Sequence, residues 1–353
     1  MTTAMLIFAG ALILAIGGTP LARRLAPRLG LVDQPSARKV HQHPMPRMGG
    51  AAIVLASLIA VLIFRDRIEF QQLIGIVLGG AFVSLVGALD DRWGMSPLVK
   101  LIAQFFGAGI LIVTGVTVQL FDAAWLNLAL TALWVIGITN AFNLLDNMDG
   151  LSSGVAAIAS AFFTLLASMS DQIYVSALAA AVLGATIGFL IYNFNPASIF
   201  MGDSGSLFLG FVLAAIGIKL RFPANVNFVT WMTPVLVLGV ALFDTSLVFI
   251  SRLRRRLNPL TTPGKDHTSH RLVAAGFTLR EAVMIHYLAG GAFGLMAIFV
   301  TQATVFEGYV AGGATALVGL YTLIRSENRF RQMALPALTG NRTRINADEH
   351  GSD

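Results

Sequence analysis

Apolar segments long enough to cross a lipid bilayer recur along nearly the whole chain, and this recurrence limits the fold more than any other feature. A membrane-spanning helix needs roughly 20 mostly apolar residues. Segments bounded by charged residues, Pro and Gly number about eleven. They lie near residues 4–18, 49–64, 72–89, 97–115, 123–140, 151–169, 173–191, 205–220, 230–250, 282–302 and 306–324. The pattern predicts an all-α fold, a polytopic integral membrane bundle of about 11 transmembrane helices.

The composition excludes an ordinary soluble protein. Hydrophobic residues make up 56% of the 353 residues and charged residues only 12%, with a mean hydropathy of +0.76. We expect one transmembrane domain over residues 1–325 and a polar cytoplasmic tail over 326–353, partly disordered. The first apolar run lacks the flanks of a cleaved signal peptide and is interpreted as the first span. The absence of cysteine excludes disulfides and a cysteine nucleophile.

The basic residues predict the orientation of the bundle. Loops on one side hold 20 of the 24 Lys and Arg residues, and the other side holds only Arg65, Arg67, Lys219 and Arg221. By the positive-inside rule, the richer side is cytoplasmic, the N-terminus lies outside and the C-terminus inside. We interpret the net charge of +6 as a basic face for lipid headgroups and anionic substrates, with no nucleic acid as partner.

Five aspartates also fall on this cytoplasmic side, at or near the ends of predicted helices. Carboxylates gathered at one face of a bundle repel one another unless a cation lies among them. Mg²⁺, with Mn²⁺ as a substitute, is the hard cation that suits such a site. The five are Asp90, Asp91, Asp146, Asp149 and Asp203.

A polar stretch runs from Asn140 to Gly154 between two long apolar runs. Asn143, Asp146 and Asp149 are spaced at i, i+3 and i+6, which places them along one side of a continuing helix. Acids at a helix C-terminus oppose the helix dipole, so this arrangement favours a compensating cation or ligand over a plain polar loop.

Two further motifs carry carboxylates. Asp90 and Asp91 are neighbours at the end of the third span, so one can bind a metal while the other takes a proton; the alternative is a solvated turn. Asp203 and Ser204 stand within Gly-Asp-Ser-Gly-Ser before the eighth span. That motif suits either ordinary helix capping or a site for phosphate and metal.

Two cytoplasmic loops carry basic groups. The first contains Lys39, His41 and Arg47 within a proline-stiffened segment ending in Pro-Arg-Met-Gly-Gly. Its basic groups suit phosphate, although membrane-edge cations often only bind lipid headgroups.

The longest loop contains Lys265, His267, His270 and Arg271. No third ligand for a zinc pair is evident nearby, so phosphate binding or acid-base chemistry fits these groups better, and a solvated basic loop is the alternative. Asp244 in the ninth span is expected to pair with Arg252.

Together these motifs resemble the polyprenyl-phosphate N-acetylhexosamine-1-phosphate transferases over about residues 30 to 275. The motifs stand in the family's order, all on one side of the membrane. They are the Pro-Arg-x-Gly-Gly loop, Asp90-Asp91, Asn143-x-x-Asp146-x-x-Asp149-Gly150, Gly202-Asp203-Ser204-Gly205-Ser206 and the histidine loop.

The resemblance implies an enzyme of the plasma (inner) membrane, with its active site on the cytoplasmic face, that begins a cell-surface glycan. It would transfer a sugar 1-phosphate, with N-acetylglucosamine favoured, from a UDP-sugar to undecaprenyl phosphate and release UMP. Membrane lipids are further partners, and a homodimer is compatible with the family.

The resemblance also implies roles for individual residues. Asp203 and Asp91 would hold Mg²⁺, and Asp90 would accept a proton from the lipid phosphate or orient it. Nucleotide binding would fall to Asn143, Asp146 and Asp149. Binding of the diphosphate or sugar, and catalysis, would fall to His267, His270, Lys265 and Arg271. Ser204 would offer backbone contacts to phosphate, and the entrance for the lipid phosphate would be lined by Lys39, His41 and Arg47.

Two alternatives stay open at this point. Many relatives that use UDP-N-acetylglucosamine carry a histidine where this chain has Ser269, and the muramyl-pentapeptide transferases carry a histidine run. The His-Thr-Ser-His sequence therefore leaves the choice between these branches open and argues somewhat against the second. An ion-coupled transporter is the rival from another class, but it would place ionisable groups at the bilayer midplane.

Overall fold

A computed structural model describes residues 2–34, 43–63, 70–223, 225–259, 261–262 and 264–348. This part of the chain is almost entirely helical. The helices are α1 (Thr2–Leu25), α2 (Gly49–Ile63), α3 (Phe70–Trp93), α4 (Pro97–Val113), α5 (Ala124–Leu145), α6 (Leu151–Met169), α7 (Ile173–Asn193), α8 (Asp203–Lys219), α9 (Asn227–Thr230), α10 (Met232–Val237), α11 (Gly239–Arg254), α12 (Thr268–Ala274), α13 (Leu279–Gln302) and α14 (Val305–Asp348).

The strands form one short ribbon. A 3₁₀ turn, Ala26–Leu29, leads from α1 into β1 (Val32–Asp33), which pairs antiparallel with β2 (Met45–Pro46). Val32 lies opposite Pro46 and Asp33 opposite Met45. The ribbon brings the segment after β2 towards the bundle.

The prediction of an all-α membrane protein is confirmed. Six helices in the described part of the chain, namely α1, α3, α5, α6, α7 and α13, are long and apolar enough to cross a membrane. The apolar helices α2 and α4 are shorter. The ninth predicted span is broken near Leu238, which ends α10 and precedes α11.

The buried helix α8 forms the centre of the bundle. Every residue from Ser204 to Ile218 is buried, and the helix packs mainly against α3 and α5 and also against α2. A helix that is apolar on all sides must be enclosed by other helices or by lipid. The outer helices instead expose large apolar side chains, such as Leu288 of α13 at 71% and Leu317 of α14 at 69%.

Small residues allow these helices to approach closely, as is common between membrane helices. A Cβ atom on Gly50 of α2 would overlap the backbone nitrogen of Gly205 in α8. On α7, a Cβ atom on Gly184 or Gly188 would similarly meet the backbone of α1. The α2–α8 contact joins two of the predicted sequence motifs.

The last helix, α14, is the longest of the described helices. The partly disordered tail predicted over residues 326–353 stays a prediction, and α14 runs as far as Asp348. Extending an existing helix costs less free energy than starting a new one, which accounts for the continuation from an apolar span.

We predict that Gly50→Ala destabilises the protein while Gly10→Ala does not. Alanine at position 50 would overlap the backbone of α8, and overpacking of this kind typically costs about 1–3 kcal/mol. Gly10 has open space at its Cβ position, so alanine there retains only its helix-favouring effect. Thermal unfolding of the purified protein in detergent measures both variants. Equal midpoints for Gly50→Ala and the wild type would contradict the close α2–α8 contact.

Candidate active site

The predicted aspartates meet at one end of the bundle. Asp90 and Asp91 lie in the last turn of α3, Asp146 follows α5, and Asp203 begins α8. Their side chains are brought together because α3 and α5 both pack against α8. The predicted convergence of these motifs is therefore present in the folded chain.

The carboxylate of Asp91 caps the N-terminus of α8. It accepts hydrogen bonds from the backbone nitrogens of Asp203 at 3.1 Å and Ser204 at 3.3 Å. Helix N-termini carry unpaired N–H groups and partial positive charge, which a carboxylate satisfies. Gly202 has a φ of 75°, and a Cβ atom there would crowd the Asp91 carboxylate. Glycine at position 202 therefore makes room for the capping acid.

Lys100 joins two of the carboxylates. Its Nζ atom lies 2.9 Å from Asp90 Oδ2 and 3.1 Å from Asp203 Oδ2. The sequence did not single out this residue as part of a site. A signal was present, because Lys100 is the only charged residue in the apolar helix α4 and stands just after the Ser96 cap. A lone cation in the first turn of an apolar helix needs a polar partner, which Asp90 and Asp203 provide.

Arg47 is the second cation beside the acids. Its guanidinium lies 3.7 Å from Asp91 Oδ1 and 3.3 Å from Asp33 Oδ1. The predicted role of Arg47 at a lipid-phosphate entrance stays a prediction. Lys39 and His41, predicted to line the same entrance, lie outside the described residues.

Backbone hydrogen bonds fix the segment that carries Arg47. The nitrogen of Phe200 donates to the carbonyl of Pro46 at 2.8 Å, and the nitrogens of Gly49 and Gly50 donate to the carbonyls of Phe200 and Met201 at 3.0 and 2.8 Å. The Pro-Arg-x-Gly-Gly segment is therefore bound to the chain that enters α8.

Asn143 and Asp146 line the α5 side of the cluster. Asn143 Nδ2 donates to Ser206 Oγ in α8 at 3.0 Å. Burial, together with the nearby carboxylates of Asp203 and Asp91, raises the pKa of Asp146 to about 8. This environment favours the protonated carboxyl group, and a cation bound beside it would favour the ionised form.

Asp149 is directed towards a neighbouring loop. Its Oδ2 atom accepts hydrogen bonds from Asn195 Nδ2 at 3.1 Å and from the backbone nitrogen of Ala197 at 3.0 Å. Asn193 Oδ1 accepts from the Gly150 nitrogen at 3.1 Å. These bonds hold the turn after α5 against the segment that follows α7.

The histidine segment is held by buried acids. Asp244 Oδ2 lies 2.8 Å from His267 Nδ1, and Asp244 Oδ1 accepts from the backbone nitrogen of Thr268 at 2.7 Å. The expected pair between Asp244 and Arg252 is wrong. Arg252 instead forms two 3.0 Å hydrogen bonds to Asp266, because the loop after α11 folds back over the end of that helix.

The α12 segment also contacts the aspartate side of the site. Ser269 Oγ donates to Asn147 Oδ1 at 2.6 Å. Both ends of this hydrogen bond lie in predicted motifs, so the bond connects the histidine segment to the turn after α5. In the sequence, Ser269 is notable only because it departs from a family pattern.

The remaining predicted residues of this loop have different surroundings. Burial, together with the charges of His267 and Lys265, lowers the pKa of His270, so its imidazole favours the neutral form. Lys265 is exposed. Arg271 is buried and donates to Glu327 Oε2 of α14 at 2.9 Å. Phosphate contacts by Lys265 and Arg271 stay predictions.

The carboxylate oxygens at the N-terminus of α8 are suited to a hard divalent cation. No group of three or more His, Asp or Glu side chains within the described residues is arranged to hold a metal by itself. Mg²⁺ is commonly bound by one or two carboxylates, with waters and substrate phosphates completing its shell. The carboxylates of Asp203, Asp91 and Asp90 supply oxygen ligands of this kind, and Asp90 and Asp203 already bind one cation, the Lys100 ammonium.

We predict that Asp266→Asn destabilises the protein at neutral pH. Burial alone would raise the pKa of Asp266, but hydrogen bonds from Arg252 and Arg255 outweigh burial and hold the pKa below 3.8. Removing the charge leaves Arg252 buried without its counter-ion, which typically costs about 3–5 kcal/mol. A lowered carboxyl pKa stabilises the fold above the unfolded value of 3.8, and that stabilisation is lost as the pH falls through the lowered pKa.

Unfolding midpoints in detergent at several pH values measure this effect. The difference between the wild type and Asp266→Asn should be largest near pH 7 and shrink below about pH 4. Exposed Asp122 provides the control, and Asp122→Asn should behave as the wild type. A difference that does not change with pH would contradict a stabilising Asp266 carboxylate.

Comparison with known proteins places this site in a family. Residues 73–221 match the model for glycosyl transferase family 4. The chain is 37% identical to the "Probable undecaprenyl-phosphate N-acetylglucosaminyl 1-phosphate transferase" of Bacillus subtilis, over 82% of each chain. It is 33% identical to a decaprenyl-phosphate N-acetylglucosaminephosphotransferase of Mycolicibacterium smegmatis, over 80% of this chain and 79% of that one.

A third relative comes from another branch. The chain is 31% identical to a phospho-N-acetylmuramoyl-pentapeptide-transferase of Shouchella clausii, over 84% of this chain and 95% of that one. The matched region in family 4 contains Asp90, Asp91, Asn143, Asp146 and Asp203. The chain therefore belongs to glycosyl transferase family 4 and is a membrane enzyme of the polyprenyl-phosphate sugar-phosphate transferases.

Proposed function

We propose that the enzyme transfers N-acetylglucosamine 1-phosphate from UDP-N-acetylglucosamine to undecaprenyl phosphate, with Mg²⁺, and releases UMP. The observation that carries the proposal is the grouping of Asp90, Asp91 and Asp203 with Lys100 and Arg47 at the N-terminus of α8. Transfer between two polyanions requires a cation, basic groups and alignment more than an activated side-chain nucleophile.

The proposal includes a membrane orientation. The chain would cross the plasma (inner) membrane about eleven times, with its N-terminus outside and the aspartates at the cytoplasmic face. The bias of 20 of 24 basic residues towards this side supports that orientation. A soluble nucleotide sugar and a membrane-bound lipid phosphate can meet only at such an edge.

The reaction would exchange one phosphorus–oxygen bond for another. In a direct displacement, an oxygen of undecaprenyl phosphate attacks the β-phosphorus of the UDP-sugar. The bond from that phosphorus to the oxygen shared with the α-phosphorus breaks, and that oxygen leaves with UMP. Mg²⁺ held by Asp203 and Asp91 would neutralise negative charge on the diphosphate.

The protein groups would position the two substrates. Lys100 and Arg47 supply positive charge, and Asp90, held by Lys100, would orient the lipid phosphate or accept its proton. The N-terminus of α8, which begins at Asp203 and Ser204, favours phosphate oxygens through its backbone N–H groups.

The nucleotide and sugar would occupy the other walls. Asn143, Asp146 and Asp149 would bind the nucleotide. Asn143 donates to Ser206 of α8, and Asp149 is bonded to the loop after α7. His267, held by Asp244, and His270 would act on the diphosphate or the sugar from α12. Two relatives whose names specify N-acetylglucosamine, at 37% and 33% identity to this chain, support N-acetylglucosamine as the transferred sugar.

The donor sugar can be tested directly. Purified protein would be incubated with Mg²⁺, undecaprenyl phosphate and each of several UDP-sugars, and UMP release would be measured. We expect release with UDP-N-acetylglucosamine and a lipid product that retains the sugar phosphate. Release only with UDP-N-acetylmuramoyl-pentapeptide would assign the enzyme to the other branch, and no release with any donor would refute the proposal.

We predict that Asp203→Asn lowers Mg²⁺-dependent UMP release by about 100-fold or more, because charge stabilisation at a reacting phosphoryl group is typically that large. The exposed Asp122 again provides a matched control, since Asp122→Asn should retain full activity. An unfolding midpoint close to that of the wild type would show that the loss is chemical. Normal Mg²⁺-dependent activity in Asp203→Asn would remove this aspartate from the metal site.

A further inference from the structure

A cavity lies beside α12, on the side of this helix that faces away from the turn after α5. It has a volume of about 370 Å³ and is enclosed by α11, α12, α13 and α14. This volume lies within the range of about 300–1,000 Å³ that is usual for ligand pockets. None of the aspartates of the candidate active site lines it.

The walls of the cavity are apolar and its rim is basic. Val240, Phe243 and Phe293 contribute to the apolar wall, and Arg325 and Arg329 lie on α14 at the rim. Both arginines are exposed, so the cavity opens at the protein surface. An occupant would therefore need an apolar portion and an anionic group.

Among the described residues, no acid balances the charges at this rim. Glu327, between the two arginines on α14, is buried and pairs with Arg271 at 2.9 Å. The guanidinium of Arg325 donates to the neutral hydroxyl of Tyr321 at 2.7 Å. Among the described residues, neither Arg325 nor Arg329 forms an ion pair. Two positive charges are therefore available to a ligand.

The position of the cavity relative to the membrane indicates the source of the ligand. Arg271 and Glu327 join α14 to α12, so the arginines lie at the same end of the bundle as the candidate active site. The neighbouring surface of α13 carries exposed Leu288 and Met284. Basic pockets between membrane helices at this edge are suited to the headgroups of anionic lipids.

We propose that this cavity binds an anionic diacyl phospholipid of the surrounding membrane. One acyl chain would lie against Val240, Phe243 and Phe293, and the phosphodiester would lie between Arg325 and Arg329. A free phosphate would use the arginines but leave the apolar wall empty, so the lipid is the better match. The cavity lining includes Arg271 of the histidine loop but none of the aspartates proposed for the transfer reaction, and lipid binding here does not rest on that reaction.

Native mass spectrometry of the full chain in detergent tests the proposal. The protein would be titrated with phosphatidylglycerol and with phosphatidylcholine bearing the same acyl chains. We expect one phosphatidylglycerol molecule to bind more tightly than phosphatidylcholine. Arg325→Gln with Arg329→Gln should weaken phosphatidylglycerol binding by about 25-fold, roughly fivefold for each arginine near a membrane surface.

Two further variants separate this cavity from a general basic surface. Arg254 and Arg256 are exposed and do not line the cavity, so replacing both with Gln removes the same charge and should leave this binding unchanged. Ala289→Phe would fill the cavity without changing charge and should abolish the tight binding. An unfolding midpoint near that of the wild type shows that each variant is folded.

Several outcomes would overturn the proposal. Equal losses in the Arg325/Arg329 and Arg254/Arg256 variants would indicate diffuse attraction to a basic edge. Retained binding in Ala289→Phe would place the lipid elsewhere, and displacement of the lipid by millimolar inorganic phosphate would indicate a site for soluble anions. Because the measurement needs no UDP-sugar, its result does not depend on the proposed transferase activity.

Discussion

The enclosed N-terminus of α8 is the constraint on which the rest of the site depends. This helix is apolar on all sides and fills the centre of the bundle, so its first backbone N–H groups need partners inside the protein. Asp91 supplies them from α3, and Phe200 and Met201, just before α8, bind the Gly49–Gly50 backbone. Hydrogen bonds at and just before the start of α8 thus join three distant segments of the chain.

The same arrangement concentrates negative charge. Asp90, Asp91, Asp146 and Asp203 lie near one another, and burial together with the neighbouring carboxylates raises the pKa of Asp146. Lys100 and Arg47 offset part of the charge. Phosphate substrates carry further negative charge, which the Mg²⁺ of the proposed function would offset, and carboxylate oxygens are ligands of the kind that Mg²⁺ prefers.

Much of this organisation could be predicted from the sequence, because lipid imposes strong rules. Apolar length located the helices, and the convergence of Asp90, Asp91 and Asp203 followed from their places at helix ends. Partnerships between side chains could not be predicted in the same way. Lys100 lies in an apolar helix with no local sign of its two partners, and Asp244 pairs with His267 because the intervening loop folds back. Such pairings depend on tertiary contacts that periodicity does not encode.

The short helix α12 connects the site to the rest of the bundle. On one side, Ser269 donates to Asn147 beside the candidate nucleotide wall, and on the other, Thr268 Oγ1 lies 2.7 Å from His286 Nε2 of α13. His286 and Thr268 also line the cavity proposed to hold lipid. Since Asp244 binds both His267 and Thr268, a shift of α12 relative to α13 would move the histidine together with the hydrogen bond to Asn147. The positions of the proposed sugar-binding groups are therefore set by the packing of α11, α12 and α13 as well as by the aspartates around α8.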